Sequence, residues 1–236
     1  LEPSSGRPVA ALGPEVVRVH LQSEVLGKSS DLDLWLAPRS AAAIQRTQLE
    51  TGKKVRHHRH RSLRFTETGV WNVTHRAADD TVDRPWREWT PSETFEPYPP
   101  NLAADVVVME PSGLFYLLAV ADLDRVGDQL TTHVFSKRQV MRVSLTVNER
   151  TELKVDYSEV SSSSERQVRG QQEVLRIGLE GTPVSGEGSD RDFEFLGLRG
   201  DVEIFLEPTG RIPLQISGNI RYVGKGHVRL QRVRLR

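Results

Sequence analysis

A period of two in the placement of apolar residues runs through most of this chain. It restricts the backbone to extended strands, because only there do successive side chains point to opposite faces. Val17, Val19 and Leu21 alternate with Arg18, His20 and Gln22, and Leu32, Leu34 and Leu36 alternate with Asp31, Asp33 and Trp35. The pattern returns in Met141, Val143, Leu145 and Val147, in Leu153, Val155 and Tyr157, and in Leu175, Ile177 and Leu179. Arg61–Thr66 and Val70–Thr74 flank Thr68-Gly69 and read as a hairpin. Val202, Ile204 and Leu206 lead into a turn at Pro208-Thr209-Gly210, from which Ile212, Leu214 and Ile216 return. Pro213 cannot donate to a ladder, which predicts that its strand lies at an edge or that this position faces away from pairing. In the closing strand, His227 to Leu235, the apolar phase slips between Leu230 and Val233 and predicts a bulge or a frayed end.

Three stretches depart from alternation. Residues 1–14, with Pro3, Gly6, Pro8, Gly13 and Pro14, read as a flexible lead-in. Residues 79–101 mix acids and prolines with Trp86, Trp89, Phe95 and Tyr98, and read as a long excursion rather than a strand, its rings lying over a sheet face or an opening. Leu114, Leu117, Leu118 and Ala121 follow Pro111-Ser112-Gly113 with helical spacing, which predicts a short amphipathic helix capped by Ser112. No helical repeat or solenoid period is visible. The fold class expected from this pattern is therefore mainly β and antiparallel, with one short helix near 111–121. At 236 residues an all-β chain can fold as one unit, so residues 15–236 are expected to form a single β-rich domain behind the lead-in.

Charge excludes some partners. Lys+Arg and Asp+Glu balance at 32 each, which removes a global electrostatic drive toward nucleic acid or an anionic membrane. No window approaches the roughly 18 apolar residues of a membrane helix. The absence of cysteine rules out disulfides, thiolate catalysis and cysteine-type zinc sites, but assigns no compartment. The chain starts at Leu1 rather than Met and reads as processed or trimmed, so any signal peptide or lipid-bearing cysteine would lie upstream of it.

The sharpest local feature is the basic run Lys53-Lys54-Val55-Arg56-His57-His58-Arg59-His60-Arg61, continuing to Arg64. As a strand it puts Lys54, Arg56, His58, His60 and Arg64 on one face and Val55, Leu63 and Phe65 on the other. An H-x-H pair can hold a metal, but the flanking cations repel one, so the face reads either as solvated or as a site where guanidinium forks take an anionic group. A second basic stretch, Arg221, Lys225, Arg229, Arg232, Arg234 and Arg236, contains no acid and allows the same two readings. The acid pairs Asp31/Asp33, Asp122/Asp124 and Asp190/Asp192 read as solvated carboxylates. Asn72-Val73-Thr74 is a glycosylation sequon in a predicted strand and reads as a chance match. Trp71, Trp86, Trp89, Phe95 and Tyr98 form the densest aromatic group, explained by core packing or by a ligand-facing wall. No nucleophile elbow, zincin motif or phosphate-binding glycine loop is present, so no catalytic residue, metal ligand or cofactor is assigned. The candidate ligand-binding residues are Arg56, His58, His60, Arg64, Trp71, Trp86, Trp89 and Tyr98.

The order of these pieces resembles a family of bacterial envelope proteins known by the domain of unknown function DUF3108. The resemblance spans most of residues 16–236. It is carried by Leu32-Asp33-Leu34-Trp35-Leu36, by Arg64-Phe65 before Gly69-Val70, by the Pro111-Ser112-Gly113-Leu114 helix start and, most strongly, by Glu203 through Ile216 with its Arg211-Ile212-Pro213. The His-rich run and insertions around 79–92 and 158–172 depart from it. It implies a secreted or periplasmic protein with a curved antiparallel sheet forming an open or half barrel, like the open barrels that carry lipids or lipoproteins. On that basis the chain is expected to be a noncatalytic periplasmic module holding a lipid or other amphipathic ligand in the sheet's concavity. The alternatives are an interaction module for an envelope protein or an anionic glycan, using the basic strand faces, and a hydrolase or lyase. Neither nucleic acid nor a membrane-spanning segment is expected.

Overall fold

Strands hold 62% of the described residues, in two sheets with one short helix and no closed barrel. The computed structural model describes residues 15–25, 27–103, 105–161, 164–185 and 193–234; the lead-in, Asp190/Asp192, Leu235 and Arg236 lie outside them. The mainly-β expectation is met, in two sheets where the family resemblance implies a single curved one. The chain divides into two compact units, Leu1–Gly113 with Arg138–Val140, and Leu114–Lys137 with Met141–Arg236.

The first unit is a meander of β1 (Val17–Val25), β2 (Lys28–Leu36), β3 (Ala43–Gly52), β4 (Arg59–Phe65), β5 (Gly69–Arg76) and β6 (Thr90–Pro97), each hydrogen-bonded to the next. Its apolar core is Leu32, Leu34, Leu36, Leu63 and Val70, with Met109 from the short β7 (Val108–Met109). β6 corrects the expected excursion, whose second half pairs with β5 from Gly69↔Pro97 to Arg76↔Thr90. Proline and charge disguised it, and both belong on an outermost strand, where one side of the backbone has no ladder to supply.

The expected helix begins as a 3-10 turn, Pro111–Gly113, and continues as α1 (Leu114–Val120), burying Leu114 and Leu118. The carboxylate of Glu110, not Ser112, caps it: Glu110 Oε2 accepts the Ser112 N–H at 2.6 Å. The second unit then lays down β8 (Gln129–Ser136), β9 (Gln139–Val160), β10 (Glu165–Pro183), β11 (Glu194–Phe195), β12 (Leu198–Leu206), β13 (Pro213–Ile220), β14 (Gly224–Arg229) and β15 (Arg232–Arg234). Its sheet runs β14-β13-β12-β10-β9-β8, with β11 paired to β12. The phase slip of the closing segment marks a change of partner: β14 ends on β13, and β15 pairs in parallel with Ser158–Val160 of β9. Pro213 is the first residue of an interior strand, beside the register shift between Phe205 and Leu206, where a ladder donor is not required.

The two units contain one motif twice. β1-β2-β3-β4 and β10-β12-β13-β14 are neighbours in the same order. Their sequences align: Glu15-Val16-Val17-Arg18-Val19 with Glu173-Val174-Leu175-Arg176-Ile177, and Leu32-Asp33-Leu34-Trp35-Leu36-Ala37-Pro38 with Val202-Glu203-Ile204-Phe205-Leu206-Glu207-Pro208. Val17 opposes Leu36 as Leu175 opposes Leu206. Both central hairpins slip by one residue, Trp35↔Gln45 then Leu36↔Ala43 in one and Phe205↔Gln215 then Leu206↔Pro213 in the other. Both turns hold a non-glycine residue in the left-handed region, Ala41 at φ 57° and Arg211 at φ 56°. The turn bonds Ala37 N–H to Ala42 O and Glu207 N–H to Ile212 O are each 2.9 Å. Arg18 pairs with Asp33 at 2.7 Å where Arg176 reaches Glu203 at 3.5 Å, and Arg64 faces Gln45 where Arg229 faces Gln215.

Candidate anion-binding site

The basic run does not form one strand. Residues Val55–His57 close a 3-10 turn, and β4 starts only at Arg59, so Lys54, Arg56 and His58 do not share a strand face with His60 and Arg64 as alternation predicts. Arg56 is exposed in that turn. His58 is tied to the Gly52 carbonyl through Nε2 at 2.7 Å and meets the edge of Trp89. His60 is 5% exposed, with Trp86 stacked on it at a centroid distance of 3.5 Å and His75 at 5.9 Å. Burial first, and then the neighbouring His75 and Arg87, push the His60 imidazole down to about 4, so it is neutral at pH 7. Arg64 is buried beside Gln45, its guanidinium held below its usual range by burial.

The aromatic group divides in two. Trp89 is buried with its indole N–H on the Thr81 and Arg84 carbonyls at 2.9 and 3.1 Å, and with Trp86 it closes the 79–89 segment over His58, His60 and His75. Trp71, 40% exposed, packs on Phe95 at 4.9 Å. Tyr98 is half-buried, which raises its phenol above the ordinary range. The histidines named from sequence are thus covered by indole rings, a packing role for Trp86 and Trp89.

The opposite face of the same strands carries what the sequence analysis missed. Alternation in β4 sends Arg59 and Arg61 to the side away from His60, and the register brings Arg61 between Gln48 of β3 and Thr74 of β5, and Arg59 between Glu50 and Arg76. Arg46 lies on this face one pair along, opposite Leu63. Arg46 is neutralised by Glu110, Nε to Oε1 at 3.2 Å, and Arg59 by both oxygens of Glu50. Among the described residues no carboxylate pairs with Arg61 or Arg76, and Arg61 Nε is buried with no hydrogen-bond partner. Burial first, and then the neighbouring guanidinia, push Arg59 and Arg61 down to about 10. Asn72, Gln48 and Ser92 surround them with neutral polar groups.

The second copy of the motif shows that the fold does not demand these cations. By register, Arg46, Gln48 and Glu50 correspond to Ile216, Gly218 and Ile220, and Arg59 and Arg61 to Gly224 and Gly226. The same strand pair forms there from apolar and glycine residues.

Two other groupings are less suited to a ligand. His20, Asp31 and Asp33 place one donor atom each within 4.8 Å of one another, but Asp33 is gripped through both oxygens by Arg18, so a cation would have to displace a guanidinium. A cleft of about 370 Å³ lies along Gln22, Glu24, Ser29, Asp31 and Thr51, and one of about 410 Å³ along Asn148, Glu180, Asp201 and Glu203. Both carry acidic side chains, the first alongside a largely apolar lining that includes Leu49, and Gln22 and Asp31 of the first correspond by register to Glu180 and Asp201 of the second. The acid pair Asp122/Asp124 is not a site either, since Asp124 Oδ1 accepts from Arg211 at 2.9 Å. Compared with protein-family models, curated proteins and solved structures, the chain matches none, so geometry alone carries what this site can bind.

Proposed function

We propose that the protein is a noncatalytic binding module that takes an anionic group of a larger ligand on the arginine face of β3, β4 and β5. The carrying observation is the Arg61–Arg76 pair, two guanidinia without a carboxylate partner beside Arg46 and Arg59, which have one; where the second copy has a counterpart, it holds Gly226 for Arg61, Gly224 for Arg59 and Ile216 for Arg46. Clustered guanidinia repel one another, and an oxyanion that bridges them relieves the repulsion while satisfying their N–H forks. In the envelope setting implied by the family resemblance, an acidic polysaccharide fits this chemistry. A lipid held in a concavity is less well supported, because each of the two clefts described places carboxylates in its lining, Glu24 and Asp31 in one and Glu180, Asp201 and Glu203 in the other.

The test is titration of the full chain with inorganic phosphate and with a uronic-acid oligosaccharide, following arginine Nε–Hε resonances. Saturable shifts of Arg61 are expected, with at least a tenfold loss of affinity in Arg61→Gly, which installs the residue of the second copy. Equal binding by that variant, or no saturable shift with either anion, overturns the proposal.

A further inference from the structure

In the first copy of the motif the fourth strand, β4, is covered on its far side by β5, over seven residue pairs from Arg59↔Arg76 to Phe65↔Val70. In the second copy the corresponding strand, β14, ends the sheet, and among the described residues no strand pairs with its far side. The chain turns away at Leu230 and sends β15 to β9 instead. The two strands are otherwise matched: Arg64 and Arg229 face the equivalent glutamines, and Ser62 and His227 face Thr47 and Ser217. β14 therefore presents an unpaired row of backbone donors and acceptors at a place where its sister strand is paired.

We propose that β14 receives an acidic extended peptide as an added antiparallel strand, in the position β5 holds against β4. The charge of the edge sets the partner's chemistry. Lys225, His227 and Arg229 share one face of β14, and Arg221, Arg232 and Arg234 flank it. No acid occurs after Glu207. Main-chain bonding supplies affinity in such additions, and alternate side chains supply selectivity. With the β4–β5 register carried over, every second partner residue lies opposite Lys225, His227 or Arg229, on the face where β5 places His75, Val73 and Trp71. Those residues are acidic in the partner. The intervening residues lie over Gly226 and Val228, where a small or β-branched side chain fits.

A peptide alternating glutamate with valine, titrated into the isotope-labelled full chain, tests this. Saturable shifts and slowed amide exchange are expected within Gly224–Arg229. A peptide of the same charge with two valines replaced by proline cannot extend the ladder and is expected to bind about tenfold more weakly. A Lys225→Glu/Arg229→Glu variant is expected to lose the glutamate peptide and gain one alternating lysine with valine. Equal binding of the proline peptide would show attraction by charge alone and overturn strand addition, as would shifts confined to Arg61 and its neighbours. A sulfated polysaccharide that protects the β14 amides equally well would overturn the peptide as the occupant.

Discussion

The Arg211 side chain ties the turn before β13 to the end of α1. Its guanidinium donates to the carbonyls of Leu118, Ala121 and Leu123 at 3.1, 2.6 and 3.1 Å and to Asp124, closing the C-terminal end of α1. Arg211→Ala leaves these acceptors without that donor and is expected to cost about 3 kcal/mol in urea unfolding, and Arg211→Lys recovers little because a point charge cannot match the fork. Arg46 and Glu110 form a similar dependency, since Glu110 is 2% exposed. Replacing Arg46 by isoleucine, its counterpart in the second copy, is expected to cost about 3 kcal/mol, and adding Glu110→Leu to recover part of it, because the unpaired buried charge goes but so does the cap on the Ser112 N–H. His60 predicts a pH effect. Its folded pKa of about 4 lies below the ~6.5 of an unfolded chain, so between those values the unfolded state binds more protons. The His60 contribution is full above about pH 6.5 and falls by about 3 kcal/mol toward pH 4, so thermal melts of His60→Phe should show a correspondingly smaller slope over that range.

Elements were legible where alternation was uninterrupted. β1, β2, β12 and β13 lie where Val17, Leu34, Ile204 and Leu214 put them, because period two is a property of the local backbone. β6 was hidden because edge strands carry the prolines and charges that otherwise mark loops. The turn into β5 also depends on a single glycine. A Cβ at Gly69 would lie 2.4 Å from the Glu96 carbonyl oxygen and 2.9 Å from the Pro97 Cα. Gly69→Ala must therefore push β6 off β5 and is expected to cost about 2 kcal/mol or more, with amide exchange accelerating first in Thr90–Pro97.

Across the whole molecule the second unit is unevenly supported. β9 and β10 pair over their full lengths, but β10 meets β12 only from Leu175 to Leu179, leaving the outer part of the hairpin to its own ladder, to β15 and to a small cluster around Val155, Tyr157, Ile212 and Leu214. Ending the chain at Leu230 removes β15 and the Arg232–Glu165 ion pair. Faster exchange is expected around Ser158–Val168 and unchanged exchange at Leu175–Leu179, as hydrogen-exchange mass spectrometry would read.

The sequence by itself determined most of the residues that extend, where the Pro208-Thr209-Gly210 turn falls and that a helix starts near 114, since these follow from neighbours along the chain. Tertiary structure decided the site. A 3-10 turn at Val55–His57 broke the basic face read from alternation, Trp86 covered His60, and pairing across β3, β4 and β5 gathered Arg46, Arg59, Arg61 and Arg76 from separate segments. The duplicated motif was likewise present in the residues, yet only strand register aligned Arg61 with Gly226, because correspondence across a ladder is set by hydrogen bonding between strands and not by spacing along one.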